Sequence, residues 1–263
     1  MLSEEATGLP GDTRETWRCC GDSLIEVFGG CERLDARRRE AGVVALTQEP
    51  VADLNMALAG QAPGAAALLA ELAEDRALPM LVLLSPSAAR ELAGREADFG
   101  FAEAGSVPLM ILDSDQVAHA PAAPGLSFRA AATPADMART RELVSQAFDL
   151  APGPLARAFP DAMLRRADTT IHLVEQDGEI RSSVMVTRHG RRAGIWCMAT
   201  PPDLQRRGLG RGLLAEAIRS ERSHGISTFL LFATAAGRPL YDHLGFREVE
   251  QARVWSRGES QQV

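Results

Sequence analysis

"MATPPDLQRRGLGRGLL", residues 198–214, decides the fold of this chain. The apolar run "AGIWCMAT" (193–200) reads as a strand that stops at Pro201-Pro202, where the backbone has no N–H to give to a ladder. A glycine-rich loop follows, then a helical pattern from about Gly210 to His224. Gly208 and Gly210 let the backbone turn tightly and come close to a ligand. The first amides of the helix have no internal acceptor, and the helix dipole makes their position favourable for an anion. Arg206, Arg207 and Arg211 surround that position with charge-assisted donors suited to phosphate oxygens.

Downstream, "STFLLFAT" (227–234) is an apolar strand, "PLYDHL" (239–244) a short helix and "REVEQARVWSR" (247–257) a last strand. Upstream, "LSFRAA" (126–131) alternates like a strand. Thr133 then caps a helix with Pro134 at its first position, and a second short helix is expected near 155–167. "TTIHLVEQ" (169–176) and "EIRSSVMVTR" (179–188) are strands joined by a tight hairpin turn at Asp177-Gly178. This order describes a mixed sheet with helices on its faces.

Gln205-Arg206-Arg207-Gly208-Leu209-Gly210 fits the Q/R-x-x-G-x-G/A signature of the GCN5-related N-acetyltransferases. "GRPLYDHLGF" (237–246) fits that family's second hallmark, an aromatic-bearing helix running into Leu-Gly-Phe. Over 126–256 the chain therefore resembles this superfamily, known as GNAT, whose α/β fold is a mixed, mostly antiparallel sheet flanked by helices. The resemblance implies acetyl-CoA, or a related acyl-CoA, as co-substrate. It places the pyrophosphate on the backbone of the loop formed by Gln205, Arg206, Arg207, Gly208, Leu209, Gly210, Arg211 and Gly212. It also implies that Met198, Ala199 and Thr200 meet the pantetheine arm and thioester, and that their strand splays from the one at 228–234. An asparagine often follows that second strand in the family; here Thr234 and Ala235 stand there. Tyr241, the single tyrosine of the chain, matches the family's tyrosine beside the sulfur. A phenol with pKa of about 10 stays protonated at neutral pH and can donate to a departing thiolate. A glutamate is common on the strand corresponding to 194–200, but "GIWCMAT" carries no carboxylate. Glu175, His172 and His189 lie on or near the two preceding strands and are the alternatives for a base, each open to an ordinary surface or sheet role. Cys197 reads as a buried inert thiol and His243 as pointing away from Tyr241, so no base is assigned.

The first half repeats part of the pattern at an offset of 145 residues. "LLAE" stands at 68–71 and 213–216, Gly-Phe at 100–101 and 245–246, with "MLVLL" (80–84) and "TFLLF" (228–232) between them. At that offset Pro63 falls opposite Gly208, and Gln61, Ala62 and Ala66 replace Arg206, Arg207 and Arg211. The expected organisation is two similar halves in tandem: a degenerate GNAT-like domain without a CoA site at 1–115, a linker rich in Ala, Pro and Asp at 113–126, and an acetyltransferase domain at 126–263. One acyl-CoA per chain follows.

Charge is divided unequally. Residues 1–125 hold 9 arginines against 20 carboxylates, and residues 126–263 hold 19 against 15, so an anionic ligand belongs to the second half. Four cysteines without C-x-x-C spacing suggest a reduced, cytoplasmic protein with no metal site. The longest uncharged stretch, Leu54 to Ala70, is broken by Gly60, Pro63 and Gly64, and the acidic start lacks an apolar core, so neither a membrane span nor a secretory signal is expected. With 5% aromatics and an excess of acid, nucleic-acid binding is disfavoured. The expected function is transfer of an acetyl group from acetyl-CoA to a primary amine, of a small molecule or a peptide N-terminus, by a protein that could form a homodimer. The alternative is a non-catalytic acyl-CoA sensor or regulatory module.

Overall fold

Among the described residues, eighteen helices and strands follow one another along the chain. They are α1 (Thr13–Val27), β1 (Asp35–Arg38), β2 (Gly42–Leu46), β3 (Asn55–Ala59), α2 (Ala65–Ala73), β4 (Met80–Leu84), α3 (Pro86–Glu91) and β5 (Ala102–Asp113), then β6 (Leu126–Ala130), α4 (Pro134–Phe148), α5 (Pro152–Ala158), β7 (Thr169–Gln176), β8 (Glu179–His189), β9 (Arg192–Ala199), α6 (Leu209–Ser223), β10 (Thr228–Phe232), α7 (Arg238–Leu244) and β11 (Arg247–Arg257). The structure, a computed structural model, describes residues 13–74, 77–113 and 125–258; most of the linker expected at 113–126 lies outside them. Local signals act as their chemistry dictates. Thr133 Oγ1 accepts from Asp136 N–H at 3.1 Å and Asp136 returns the bond to Thr133 N–H at 2.9 Å, closing a capping box on α4. Asp177 and Gly178 both take positive φ, as a two-residue hairpin requires.

All eleven strands form one sheet in the order β1-β2-β3-β4-β11-β5-β10-β9-β8-β7-β6. Only β3–β4 and β9–β10 are parallel, so the sheet is mixed and mostly antiparallel. The two halves exchange strands. β11, from the end of the chain, lies between β4 and β5; β5, from the first half, lies between β11 and β10. Each exchanged strand follows a Gly-Phe pair in which the glycine is left-handed (Gly100 φ 77°, Gly245 φ 93°) and the phenylalanine is buried.

Side chains alternate across this sheet, and each face builds its own core. Leu109, Ile111, Ala252 and Val254 face a core shared with α1, α4 and α5. Met110 and Leu112 face α6 and α7, while Trp255 faces α2 and α3. Helix α1 spans both halves. A Cβ on Gly21 would lie 2.7 Å from Val43 Cγ2 on β2, and a Cβ on Gly194 of β9 would lie 1.9 Å from Ser23 Oγ, so both contacts depend on a bare Cα. Ser23 Oγ in turn bonds Thr187 Oγ1 at 2.6 Å and accepts from Trp196 Nε1–H at 2.7 Å.

On the opposite face α6 is tied down by a fully buried carboxylate. Glu221 accepts from Arg188 Nη2–H at 2.8 Å and sits 2.9 Å from His172 Nε2. Burial acts to raise its pKa, but the hydrogen bonds from His172 and Arg188 and the guanidinium charge outweigh it and hold the carboxyl below its ordinary value. Stability from this group is therefore present at neutral pH and lost as pH falls through the depressed value. Glu221→Ala, which strands Arg188, is expected to cost about 3–5 kcal/mol in urea denaturation at pH 7. The deficit should shrink in acid, as the wild-type carboxyl becomes protonated.

Candidate active site

β9 and β10 begin as neighbours and then part. Their parallel rungs are Arg192–Thr228, Ala193–Phe229 and Gly194–Leu230, and none follows. Beyond them Ile195–Ala199 and Leu231–Phe232 share no ladder, which leaves strand edges able to bond a ligand laid between them. β9 also carries one extra residue against β8 between the Met185–Trp196 and Ser183–Ala199 pairs. Cys197 lies in this bulge with φ 47°, a region costly for a side chain with Cβ, and such bulges re-aim a strand.

The glycine loop lies at the open end of this fork. Gly208 caps α6 with φ 82° and nothing within 4 Å of a Cβ built on it; Arg206 is also left-handed at φ 61°. The helical bond from Gly212 N–H to Gly208 C=O, 2.9 Å, leaves the preceding amides without a helical acceptor. Gly210 packs against Met198 Cε (3.1 Å from an added Cβ), Thr200 Oγ1 and Leu240, and Gly212 against Phe128. Leu209 is buried beneath the loop. Gln205 Nε2–H donates to Thr200 C=O at 3.1 Å, and Ser182 Oγ–H to Ala199 C=O at 2.7 Å. Arg206 and Arg207 are exposed, Arg207 reaching Asp203 C=O, while Arg211 Nη1 meets His243 Nε2 on α7 at 3.0 Å. The structure thus gathers Met198, Ala199, Thr200 and the loop 205–212 at one place.

Tyr241 enters the same place from α7. Its ring is buried, stands edge-on to Phe246 with centroids 5.7 Å apart, and passes 3.0 Å from where Gly237 would carry a Cβ. Burial pushes the phenol above its usual pKa. Burial also pushes the Cys197 thiol up to about 12, which leaves it without thiolate at neutral pH. His243 is exposed and turned to Arg211. Thr234, standing where the family often has asparagine, accepts from Gly237 N–H at 3.1 Å and shapes the entry to α7.

The three residues considered as a base are engaged elsewhere. His172 is bound to Glu221 under α6, Glu175 to Arg129 at 2.7 Å, and His189 to Asp22 of α1 at 3.3 Å. Each satisfies a partner outside the fork, so none is assigned to the site.

The first half treats the same elements differently. β3 and β4 stay paired through Ala59–Leu84, and Ser85 N–H continues to Ala59 C=O at 2.9 Å, so no fork opens. The counterpart of Gly208 is Gly64 rather than Pro63: it caps α2 with φ 116°. The α2 amides are occupied by the chain's own carboxylate, Glu91 Oε1, which accepts from Gly64 N–H at 3.4 Å and Ala66 N–H at 3.2 Å. Among the described residues no cluster of His, Cys, Asp or Glu could hold a metal ion, and no helix is long and apolar enough to cross a membrane.

A glycine loop capping a helix beside a forked pair of parallel strands is the arrangement that the resemblance to the GNAT superfamily implies. Residues 167–248 match the acetyltransferase (GNAT) domain family. An uncharacterized N-acetyltransferase, ycf52, of Gracilaria tenuistipitata var. liui is 43% identical over 54 residues, which are 20% of this chain and 30% of that relative. Among solved structures, a GCN5-related N-acetyltransferase from Kribbella flavida is similar over 95% of this chain and 97% of its own, with TM-score 0.70 and 16% identity. A tandem GNAT protein from the clavulanic acid biosynthesis pathway is similar over 94% and 92%, with TM-score 0.57 and 14% identity. At such identities these two likenesses speak for the fold. Residues 167–248 thus match a GNAT acetyltransferase domain, the fold of the chain is that of GNAT structures, and the chain spans less than a third of the curated relative it matches.

Gly194 stands at the last rung before the fork and leaves room for Ser23, and a lone glycine inside a strand has no distinguishing spacing in the sequence. Gly194→Ala is expected to cost about 1–3 kcal/mol, since its methyl would displace Ser23 from Thr187 and Trp196. A lowered melting temperature with a red-shifted tryptophan emission would show it; an unchanged melt would contradict the contact.

Proposed function

We propose that this enzyme transfers an acetyl group from acetyl-CoA to a primary amine and binds one acyl-CoA per chain, in its second half. The carrying observation is the fork between β9 and β10, which opens beside the α6 amides and the lone tyrosine. The amides from Gln205 to Gly212, with Arg206, Arg207 and Arg211, suit the diphosphate; the unpaired stretch of β9 ending in Met198, Ala199 and Thr200 suits the amides of the pantetheine arm. CoA supplies an acyl thioester, and this chain's part is to hold it and to provide a proton as sulfur leaves. Tyr241 fits that part: its raised pKa keeps the phenol protonated through neutral and mildly alkaline pH. Zipped β3–β4 strands and an α2 terminus already neutralised by Glu91 support a single site per chain.

A second reading, a module that holds acyl-CoA without transfer, is favoured by the lack of a carboxylate on β9. Tyr241→Phe separates the two. Loss of about 10²–10⁴ in kcat with retained CoA affinity is expected for a proton donor. Thiol release that is absent in the wild type with every amine tried, or unchanged in the variant when chemistry limits the rate, would remove the catalytic role. Calorimetry should give one CoA per chain, and two would overturn the assignment of the first half.

A further inference from the structure

Strand exchange brings a carboxylate to the fork that chain order does not suggest. Glu250 of β11 and Phe232 of β10 are both paired with Leu109, on opposite sides of β5, so the two stand level across one intervening strand. Phe232 lies two residues beyond the last rung between β10 and β9. Phe232, Trp196 and Cys197 are all partly buried against the core shared with α1, at the rim of the fork. Ladder pairing shifts between Glu248 and Glu250, leaving Val249 as the extra residue of a bulge. Over this patch sits Trp17 of α1, buried, with its ring 5.5 Å from that of Phe232. Its Nε1–H donates to Glu250 Oε2 at 2.6 Å.

Glu250 differs from four of the buried carboxylates. Asp22, Glu49, Asp136 and Glu221 each face an arginine. Half-buried Glu250 makes no ion pair among the described residues, and its recorded hydrogen-bond partner there is a neutral indole. A carboxylate held by a neutral donor beside an aromatic ring has no cationic partner of its own among the described residues and can accept a cation.

We propose that Glu250 receives the ammonium group of the acceptor, with Phe232 as the apolar wall beside it and Trp17 as the residue that positions the carboxylate. The acceptor class is a primary amine whose charge is a short spacer away from an apolar or aromatic body. The proposal rests on the acyl-transfer reading above and adds to it that the first half, through Trp17, helps to build the acceptor side.

Benzylamine carries both features and is the probe. Its binding to the CoA-loaded protein is read by saturation-transfer NMR, and its KM and kcat by thiol release. Glu250→Gln is expected to weaken benzylamine binding about ten-fold or more and to raise KM rather than lower kcat, with CoA affinity preserved. Glu250→Asp should recover part of the loss, and Trp17→Phe, which keeps a ring on Phe232 and removes the N–H, should weaken benzylamine in the same direction. Equal binding of benzylamine by wild type and Glu250→Gln, or no binding by the wild type, would overturn the proposal. Failure of thiol release with acetyl-CoA and benzylamine both bound would instead strike the acyl-transfer reading and leave the ammonium site standing. Should Glu250→Gln melt early, the Trp17→Phe result decides.

Discussion

The parting of β9 from β10 after the Gly194–Leu230 rung is the constraint on which the rest of the molecule turns. Backbone amides and carbonyls inside a sheet need partners, so a fork survives only if something else holds the strands apart. Here that something is α1. Its Ser23 fills the space a side chain on residue 194 would take and fastens to Thr187 and Trp196, the residues on either side of the β8–β9 ladder. The bulge at Cys197 then turns β9 outward. Glycine at 194, serine at 23 and an irregular strand are thus one mechanical unit, although they come from opposite ends of the chain.

The same pair of elements reaches a different solution in the first half. β3 and β4 remain zipped, and the α2 terminus carries its own anion in Glu91. A helix N-terminus holding an internal carboxylate has its partial positive charge already compensated. In the second half, α6 opens with Gly208 facing open space and exposed arginines around it, and the positive potential there is left for a ligand. Related geometry thus carries opposite electrostatics at the two helix termini.

Local patterns were legible in the sequence and pairings were not. The hairpin at Asp177-Gly178, the Thr133 cap, the loop at 205–212 and most strands of the second half follow from turn chemistry and periodicity acting within a few residues. Strand exchange leaves no such trace: β5 and β11 read as half-buried strands whichever half they join. The wrong match of Pro63 to Gly208 came from holding the offset at 145 through a loop, where one residue of slack separates Gly64 from Pro63. The surroundings of the alternative bases are illegible in the sequence for a related reason. His172 and His189 were judged by the strand they occupy, whereas their partners, Glu221 and Asp22, arrive on helices remote in sequence. Glu250 was invisible because its neighbour, Trp17, is 233 residues away.

Exchange also ties the first half to the fork in the second. On one side β10 loses its partner at the fork; on the other it pairs with β5 from Thr228–Asp113 to Phe232–Leu109, along its whole length. A strand with one edge open to a ligand must have the other edge fully satisfied if it is to hold its position, because an unpaired strand frays. That second edge belongs to the first half, and so does the helix that keeps the fork apart. The first half is therefore part of the fork's mechanics, while its own α2 terminus is met by Glu91.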